Sequence, residues 1–524
     1  MEHWIPRPAV FSAEKDGFFS VPQGLCADLG DFAPWCVEAF QERSGLKIKE
    51  GNPWLILEKD ASLPQEHYRL TVASDRVTVA ASGERGIIWA LTGLYLLMKD
   101  GKLPLCAVED GPRFGHRGLS FDCARHFFSH EEVKKVIEGL SLAKINVLHW
   151  HLADDQGWRI ESKVFPELHS TGTEYYTQDQ IRDVVAFARS RGVEMIPEID
   201  MPGHTSAILA VYPELGCFGK KVDLPRSGGI FSVILCPGKE ETFLFTEKLL
   251  EELVALFPGE RFHIGGDEAP KSEWKKCPHC RARMEALGIT EPEDLQGYFA
   301  GRIVEILKKH GKTAICWNET LHSSNYPEDI QIQYWMLQHR ASTQAFAAKG
   351  GKYIYSDMFE LYLDYPHAMT PLKKIFHTVP QFGGKPIGNP KNLLGLEACL
   401  WSEQVTTNER LEQLLFPRML AVAELAWSGP GDYSEFKDWL AAWMALPINS
   451  AIAFTAPDWW DPRGKGRQAE ALRFFRGMFG SMPEELRQET AEAVAPSREY
   501  ILNYIRKFLK LWDIPVFLKA LRGK

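Results

Sequence analysis

Between about residue 113 and residue 430, short apolar runs alternate with longer stretches in which apolar side chains return at every third or fourth position. A short apolar run bounded by polar residues reads as a buried strand, and the longer recurrence reads as an amphipathic helix. Eight runs of the first kind occur: RGLSFDCAR, INVLHWHLADD, VEMIPEID, RFHIGGDE, TAICWNE, IQIQYW, KYIYSD and LEACLWSE. The stretches between them, such as EEVKKVIEGLSLAK, QDQIRDVVAFARSR and FTEKLLEELVALF, set charges opposite the apolar stripe. This alternation predicts parallel strands joined by crossover helices, and eight such units predict a closed (β/α)8 TIM barrel. An open doubly wound sheet is the competing arrangement. It gathers its ligand groups at one switch point, whereas here all eight strand ends carry polar or aromatic residues. In a barrel those ends share one face, and the site is expected there.

The flanks read differently. Residues 1–112 contain the alternating run YRLTVASDRVTVAAS followed by the helical stretch ERGIIWALTGLYLLMK, which predicts a small antiparallel α+β domain beside the barrel. Residues 431–524 hold two amphipathic stretches, YSEFKDWLAAWMAL and SREYILNYIRKFLKLW, on either side of PDWWDPRGKG, and predict a helical C-terminal extension. A chain of 524 residues exceeds the size of one hydrophobic core, so several domains are expected. A net charge of −9 gives a mildly acidic surface with no invitation to nucleic acid. The opening MEHWIPRPAV lacks a basic start followed by an apolar run, and no stretch is apolar enough to span a membrane. A cytoplasmic location is the expectation, a secreted or periplasmic one following only if the chain has been trimmed. Ten cysteines are too dilute for a disulfide scaffold. Cys277 and Cys280, in CPHC, have the spacing of half a zinc site, but no second pair follows to complete it, so ordinary thiols and no metal are expected.

Candidate chemistry concentrates at the strand ends. In RFHIGGDEAP two glycines lead into Asp267 and Glu268; neighbouring carboxylates cannot both ionise freely, which leaves one available as a general acid. The alternative is a helix start, with Asp267 as N-cap and Glu268 in the first turn. Arg117 could grip two hydroxyls or a carboxylate with its planar fork, or could close the bottom of the barrel, since it stands at the beginning of its strand. His149 and His151 fall on one face of HWHLADD, ahead of Asp154 and Asp155, and with His204 and Asp267 they raise a rival reading as a metal-dependent barrel hydrolase. The turn at Pro202 and Gly203 can project His204 across the mouth. Trp317, Trp335 and Trp401 stand at three strand ends and suggest an apolar wall for a sugar face or an acyl group.

Taken in order, HRGLSFDCARHF, NVLHWHLADDQGWR, EIDMPGHT, HIGGDE, WNE, YLD and GLEACLWSE resemble glycoside hydrolase family 20, the β-N-acetylhexosaminidases, over roughly residues 50 to 430. The resemblance implies an exo-acting, retaining hydrolase of terminal N-acetylglucosamine or N-acetylgalactosamine in which the substrate's own acetamido oxygen is the nucleophile, with no metal or organic cofactor. It implies that Glu268 is the acid and base and that Asp267 orients the acetamido group. Tyr362 would bond the acetamido oxygen, and Trp317, Trp335 and Trp401 would enclose its methyl group. Arg117 and Glu403 would hold hydroxyls, Asp155 and His204 would support the acid and the sugar, and Asp364 would meet the C4 or C6 side. Two departures stand out. The loop YPHAMTPLKKIFHTVPQ lacks the tryptophan that members commonly place beside the leaving group, and WNE replaces the more frequent WDE or WEE. A disaccharide-releasing member and a catalytically inactive sugar-binding module are the remaining alternatives.

Overall fold

The computed structural model describes residues 4–171, 173–336, 339–382, 385–386 and 390–480. Eight parallel strands close a barrel: β1 (His116–Asp122), β2 (Val147–His151), β3 (Glu194–Glu198), β4 (Arg261–His263), β5 (Thr313–Trp317), β6 (Ile330–Tyr334), β7 (Lys352–Tyr355) and β8 (Leu393–Leu400), with β8 pairing back onto β1. Each expected strand is present. The helices between them form where the periodicity places them, at His130–Leu142, Gln178–Ser190 and Glu240–Val254, the second opened by a capping box of Thr177 and Gln180. Val147, Ile196, Ile315 and Ile354 fill the barrel interior as one apolar layer. Above it lies a buried polar layer containing His149, Glu198, His263, Gln333 and Glu397.

The N-terminal unit is an α+β domain, but its six-stranded sheet is mixed rather than antiparallel: Leu55–Lys59 runs parallel to both Val77–Ala81 and Ala27–Asp28, whereas the remaining pairs are antiparallel. The helix Glu84–Leu97 carries Trp89 toward the barrel, where its ring meets Trp427 edge-on at 6.4 Å. A polar cluster joins the two units beneath the barrel. Arg117 donates to Glu66 at 2.5 Å, Asn146 donates to the other oxygen of Glu66 at 2.8 Å, and Lys144 pairs with Asp110 at 2.7 Å.

After the barrel come the helices Tyr433–Met444 and Gly464–Gly480, so the described part of the C-terminal extension is helical. The stretch SREYILNYIRKFLKLW lies outside the described residues. Helix Gly464–Gly480 leans on the loop after β7: Glu470 accepts the Ala368 N–H at 3.1 Å, and Phe474 packs edge-on to Tyr365 at 5.3 Å. No helix among the described residues is long and apolar enough to cross a membrane.

Candidate active site

Strand β4 ends at His263, earlier than the run RFHIGGDE suggested, because Gly265 and Gly266 turn the chain with φ of +67° and +97°. A Cβ on Gly265 would lie 1.7 Å from Asp200 Oδ1, so only glycine allows the approach. Two residues on, Glu268 itself holds φ of +44°, a left-handed conformation that costs an ordinary residue about 1–2 kcal/mol. The two acids therefore diverge through a strained turn, not through the alternation of an extended strand. The helix-start alternative is also corrected, since the next helix begins only at Ser272.

The turn sets both carboxylates around His204, whose Nε2 stands 3.7 Å from Glu268 Oε2 and 3.9 Å from Asp267 Oδ2. Glu268 is partly open to the mouth. Asp267 Oδ1 is buried with no hydrogen-bond partner among the described residues. Burial raises the Asp267 carboxyl, against the pull of His204 and of a hydrogen bond from Asp200. Burial and the facing charge of Asp267 push the Asp200 carboxyl well above the usual carboxylate range. Asp200 was not among the expected site residues.

On its other side, His204 Nδ1 stands 3.2 Å from both Asp154 Oδ1 and Asp155 Oδ2. Asp155 is fixed by the Ser206 N–H at 2.9 Å and the Ser206 hydroxyl at 2.6 Å. Burial alone would strip the imidazole of charge, but Asp154 and Asp155 outweigh it and keep His204 protonated well above the ordinary histidine value. The result is a buried cation between one carboxylate pair below and the Asp267–Glu268 pair above.

Arg117 is not at this face. It is fully buried at the start of β1, with Nε donating to Lys144 O at 2.9 Å and Nη1 to Phe114 O at 2.7 Å, beside its ion pair with Glu66. The expectation that it holds substrate is corrected: a residue at a barrel strand's N-terminal end faces the floor. Eight residues later, past the C-terminal end of β1, Arg125 occupies the mouth. Its guanidinium lies 5.1 Å above the Trp401 ring, pairs with Asp154 at 2.8 Å and reaches within 4.0 Å of Glu403. Arg125 Nε, the atom 4.0 Å from Glu403, is buried and makes no hydrogen bond among the described residues.

Four aromatic rings complete the opposite wall. Trp317 stands 5.9 Å from Trp401 and 6.5 Å from Trp335, while Tyr362 stacks on Trp335 at 6.1 Å and meets Trp401 at 6.1 Å. A hydrogen bond from Trp317 Nε1 to Glu198 at 2.9 Å and one from Trp335 Nε1 to Glu319 at 2.8 Å lock two of the indoles. At the rim, burial and then the charge of Glu403 raise the Asp364 carboxyl, while burial, helped by the charges of Asp122 and Asp154, raises Glu403 against the pull of Arg125. Asp364 Oδ1 has no partner among the described residues. Glu319, also unforeseen, is pushed up to about 8 by burial and by the charge of Asp267.

The profile "Glycosyl hydrolase family 20, catalytic domain" matches residues 114–430, and "Glycosyl hydrolase family 20, domain 2" matches residues 34–111. The chain belongs to glycosyl hydrolase family 20. A beta-hexosaminidase of Porphyromonas gingivalis is 35% identical over 76% of this chain and 55% of its own length, so this chain spans about half of that relative. A beta-hexosaminidase of Akkermansia muciniphila is 32% identical over 71% of this chain and 81% of its own. Among solved structures, the beta-N-acetylhexosaminidase of Bacteroides fragilis superposes with a TM-score of 0.79 at 29% identity, covering 86% of this chain and 96% of that one. The GH20 exo beta-N-acetylglucosaminidase of Vibrio harveyi in complex with N-acetylglucosamine gives 0.76 at 29% identity, covering 86% and 78%.

In this family 20 glycoside hydrolase the histidines of HWHLADD serve the layer beneath the pocket. His149 and His151 do share a face, and both meet Glu198, His149 at 3.1 Å. His149 also binds Glu397 at 2.8 Å, and His151 binds Asp154 at 2.9 Å. The donor set of the metal-hydrolase reading is not gathered at one point: His149 groups with Glu198 and His263, whereas His204 groups with Asp154 and Asp155 or with Asp200 and Asp267. Burial disfavours ionisation of Glu198, but His263, His151 and His149 outweigh it and hold that carboxyl well below its usual range. Glu198, through Trp317, is the foundation of one wall of the pocket.

Proposed function

We propose that this family 20 hydrolase is an exo-acting β-N-acetylhexosaminidase that removes a terminal N-acetylglucosamine or N-acetylgalactosamine with retention, through substrate assistance. The observation that carries the reading is the pairing of Asp267 Oδ1, a buried acceptor with no partner, with an enclosure of Trp317, Trp335, Tyr362 and Trp401. An N-acetyl group has one N–H donor, one carbonyl acceptor and one methyl group, and these residues offer a complement to each. The N-acetylglucosamine complex of the Vibrio harveyi relative supports the choice of sugar.

In the proposed reaction Glu268 gives its proton to the glycosidic oxygen as the bond to C1 breaks, and the acetamido carbonyl oxygen bonds to C1 from the opposite face. The nitrogen lone pair moves into the ring that forms, leaving an oxazolinium cation. Asp267 accepts the acetamido N–H and stabilises the positive charge, Tyr362 donates to the oxygen until it attacks, and the indoles exclude water. Glu268, now a carboxylate, takes a proton from water, whose oxygen opens the oxazolinium at C1 and restores the β configuration. His204 holds a positive charge beside both carboxylates during these transfers. Arg125 takes the hydroxyl-binding role first expected of Arg117, with Glu403 and Asp364 beside it.

The test compares matched chromogenic N-acetylglucosaminides, N-acetylgalactosaminides and plain glucosides. Turnover should require the acetamido group, and Glu268→Gln should lower kcat by roughly 100- to 10,000-fold on substrates with poor leaving groups. Comparable rates on plain glucosides, or a sugar ester trapped on the protein, would overturn the mechanism. Binding without turnover by the wild type would leave only the sugar-binding reading.

A further inference from the structure

A second cluster, built from none of the pocket residues, lies behind the site. Cys277 and Cys280 of the CPHC turn meet Cys217 and Cys236, which stand alone in the sequence on the long loop after β3. All four are buried, and their Sγ atoms all lie within 4.8 Å of one another. Cys280 Sγ stands 3.4 Å from Cys236 and 3.8 Å from Cys217, and Cys236 stands 3.8 Å from Cys277. Four thiolates around one zinc ion at about 2.3 Å sit at the corners of a tetrahedron with edges of about 3.8 Å. Two separate disulfides would draw the sulfurs into two pairs; here Cys236 and Cys280 each face two partners.

The surrounding backbone is shaped for such a centre. Cys236 is followed by Pro237 and Gly238, and the Gly238 N–H points at Cys236 Sγ, the outer hydrogen bond that steadies a metal-bound thiolate. A Cβ on Gly238 would lie 2.3 Å from the His279 carbonyl carbon and 2.4 Å from the Cys280 nitrogen, so the two cysteine turns touch backbone to backbone. An antiparallel bridge between Gly216 and Leu235, the residues immediately before Cys217 and Cys236, brings those two cysteines side by side. Ile234, Ala269, Trp274 and Leu295 seal the cluster from water.

We propose that Cys217, Cys236, Cys277 and Cys280 form a structural tetrahedral zinc site that clamps the loop after β3 to the segment following the catalytic acids. The two further cysteines precede CPHC in the sequence, far apart from one another, and join it only in space, so no second CxxC marks the cluster along the chain. The clamp has a place in the function. The loop between its first two ligands, residues 218–235, reaches the mouth, where Ser227 O accepts from Gln156 Nε2 at 2.9 Å and Gly228 abuts Glu403. The other two ligands follow Asp267 and Glu268 by about ten residues, and Trp274 binds back to Leu235 O at 3.0 Å. One ion would therefore hold both the sugar-facing rim and the segment behind the acid pair.

The test begins with metal analysis of the full chain purified without metal-affinity steps. One equivalent of zinc per chain is expected, retained through dialysis against EDTA and released by a mercurial reagent that titrates thiols. Four sulfur neighbours at about 2.3 Å are expected by X-ray absorption. Cys277→Ser and Cys236→Ser should each lose the zinc, whereas Cys106→Ser, a buried thiol of the N-terminal domain, should keep it. Because a cysteine variant could fail to fold, the wild type is also refolded with cobalt, whose visible spectrum should report a tetrahedral four-thiolate set. Loss of zinc should speed tryptic cleavage at Lys221 and Arg226, in the clamped loop, and raise KM several-fold with the barrel's circular dichroism intact. Protein that is active and metal-free, with these four thiols free or joined as disulfides, would overturn the proposal, as would a bound iron.

Discussion

Arg117 and Arg125 lie eight positions apart and their fates are opposite, because β1 spans the barrel between them. Arg117 is a buried ion partner of Glu66 with no exposure at all, and Arg125 faces the pocket with an Nε that makes no hydrogen bond among the described residues. Removing one partner of a buried ion pair strands the other, at a cost of about 3–5 kcal/mol. Arg117→Ala is therefore expected to lower Tm sharply while the surviving folded enzyme keeps its KM. Arg125→Ala strands the buried Asp154 and should also lower Tm, but it adds a roughly 10- to 100-fold fall in kcat/KM of the enzyme that stays folded, the weight of a charge-assisted hydrogen bond. Thermal unfolding and steady-state kinetics on the two variants separate these outcomes, and a KM defect in Arg117→Ala without loss of stability would contradict the assignment. Asp267 and Glu268 were recognisable as residues, but the left-handed turn that aims them was not. The two glycines hinted at it, yet only the nearness of Asp200 shows why glycine is needed.

The loops after the strands gain their shape from elements distant in sequence. The loop after β7 carries Tyr362 and Asp364, and helix Gly464–Gly480 buttresses it through Glu470 and Phe474. Phe474→Ala removes an aromatic prop from behind Tyr365, so kcat/KM should drop several-fold, mostly through KM, as Tyr362 and Asp364 lose their fixed positions. Unchanged kinetics in a variant of reduced stability would show the helix to be packing alone. Amphipathic spacing made the helix Tyr433–Met444 legible, whereas the helix Gly464–Gly480 was covered only by the general expectation of a helical extension. Which wall they support was not legible, because periodicity says which face is apolar and not what covers it. The same limit hid the mixed sheet of the N-terminal domain: alternation marks strands without giving the direction of their neighbours.

For the molecule as a whole, the buried polar layer beneath the pocket ties stability to pH. Burial opposes the charge on His149 and His151, but Glu198 foremost holds His149 up at about 9 and His151 at about 10. Stability from a raised histidine is complete below its unfolded value of about 6.5 and is lost as pH climbs through the folded value. Glu319, raised to about 8, works in the same direction, since its proton is bound more tightly folded than unfolded. Tm should accordingly begin to fall above about pH 4.5 as the share of Glu319 is lost and fall more steeply from about pH 6.5 toward pH 10 as the histidines lose theirs, with a shallower fall in His149→Gln; a flat profile from pH 7 to 10 would refute the coupling. Eight apolar runs and the helical stretches between them sufficed to determine the barrel, since each strand's burial on both faces is written in its own residues. The ordered motifs at the strand ends likewise determined the family. Tertiary structure alone decided which arginine reaches the mouth, that His204 stays charged between two carboxylate pairs, and that four scattered cysteines converge. Those are properties of distance between residues remote in the chain, and no local pattern of polarity encodes them.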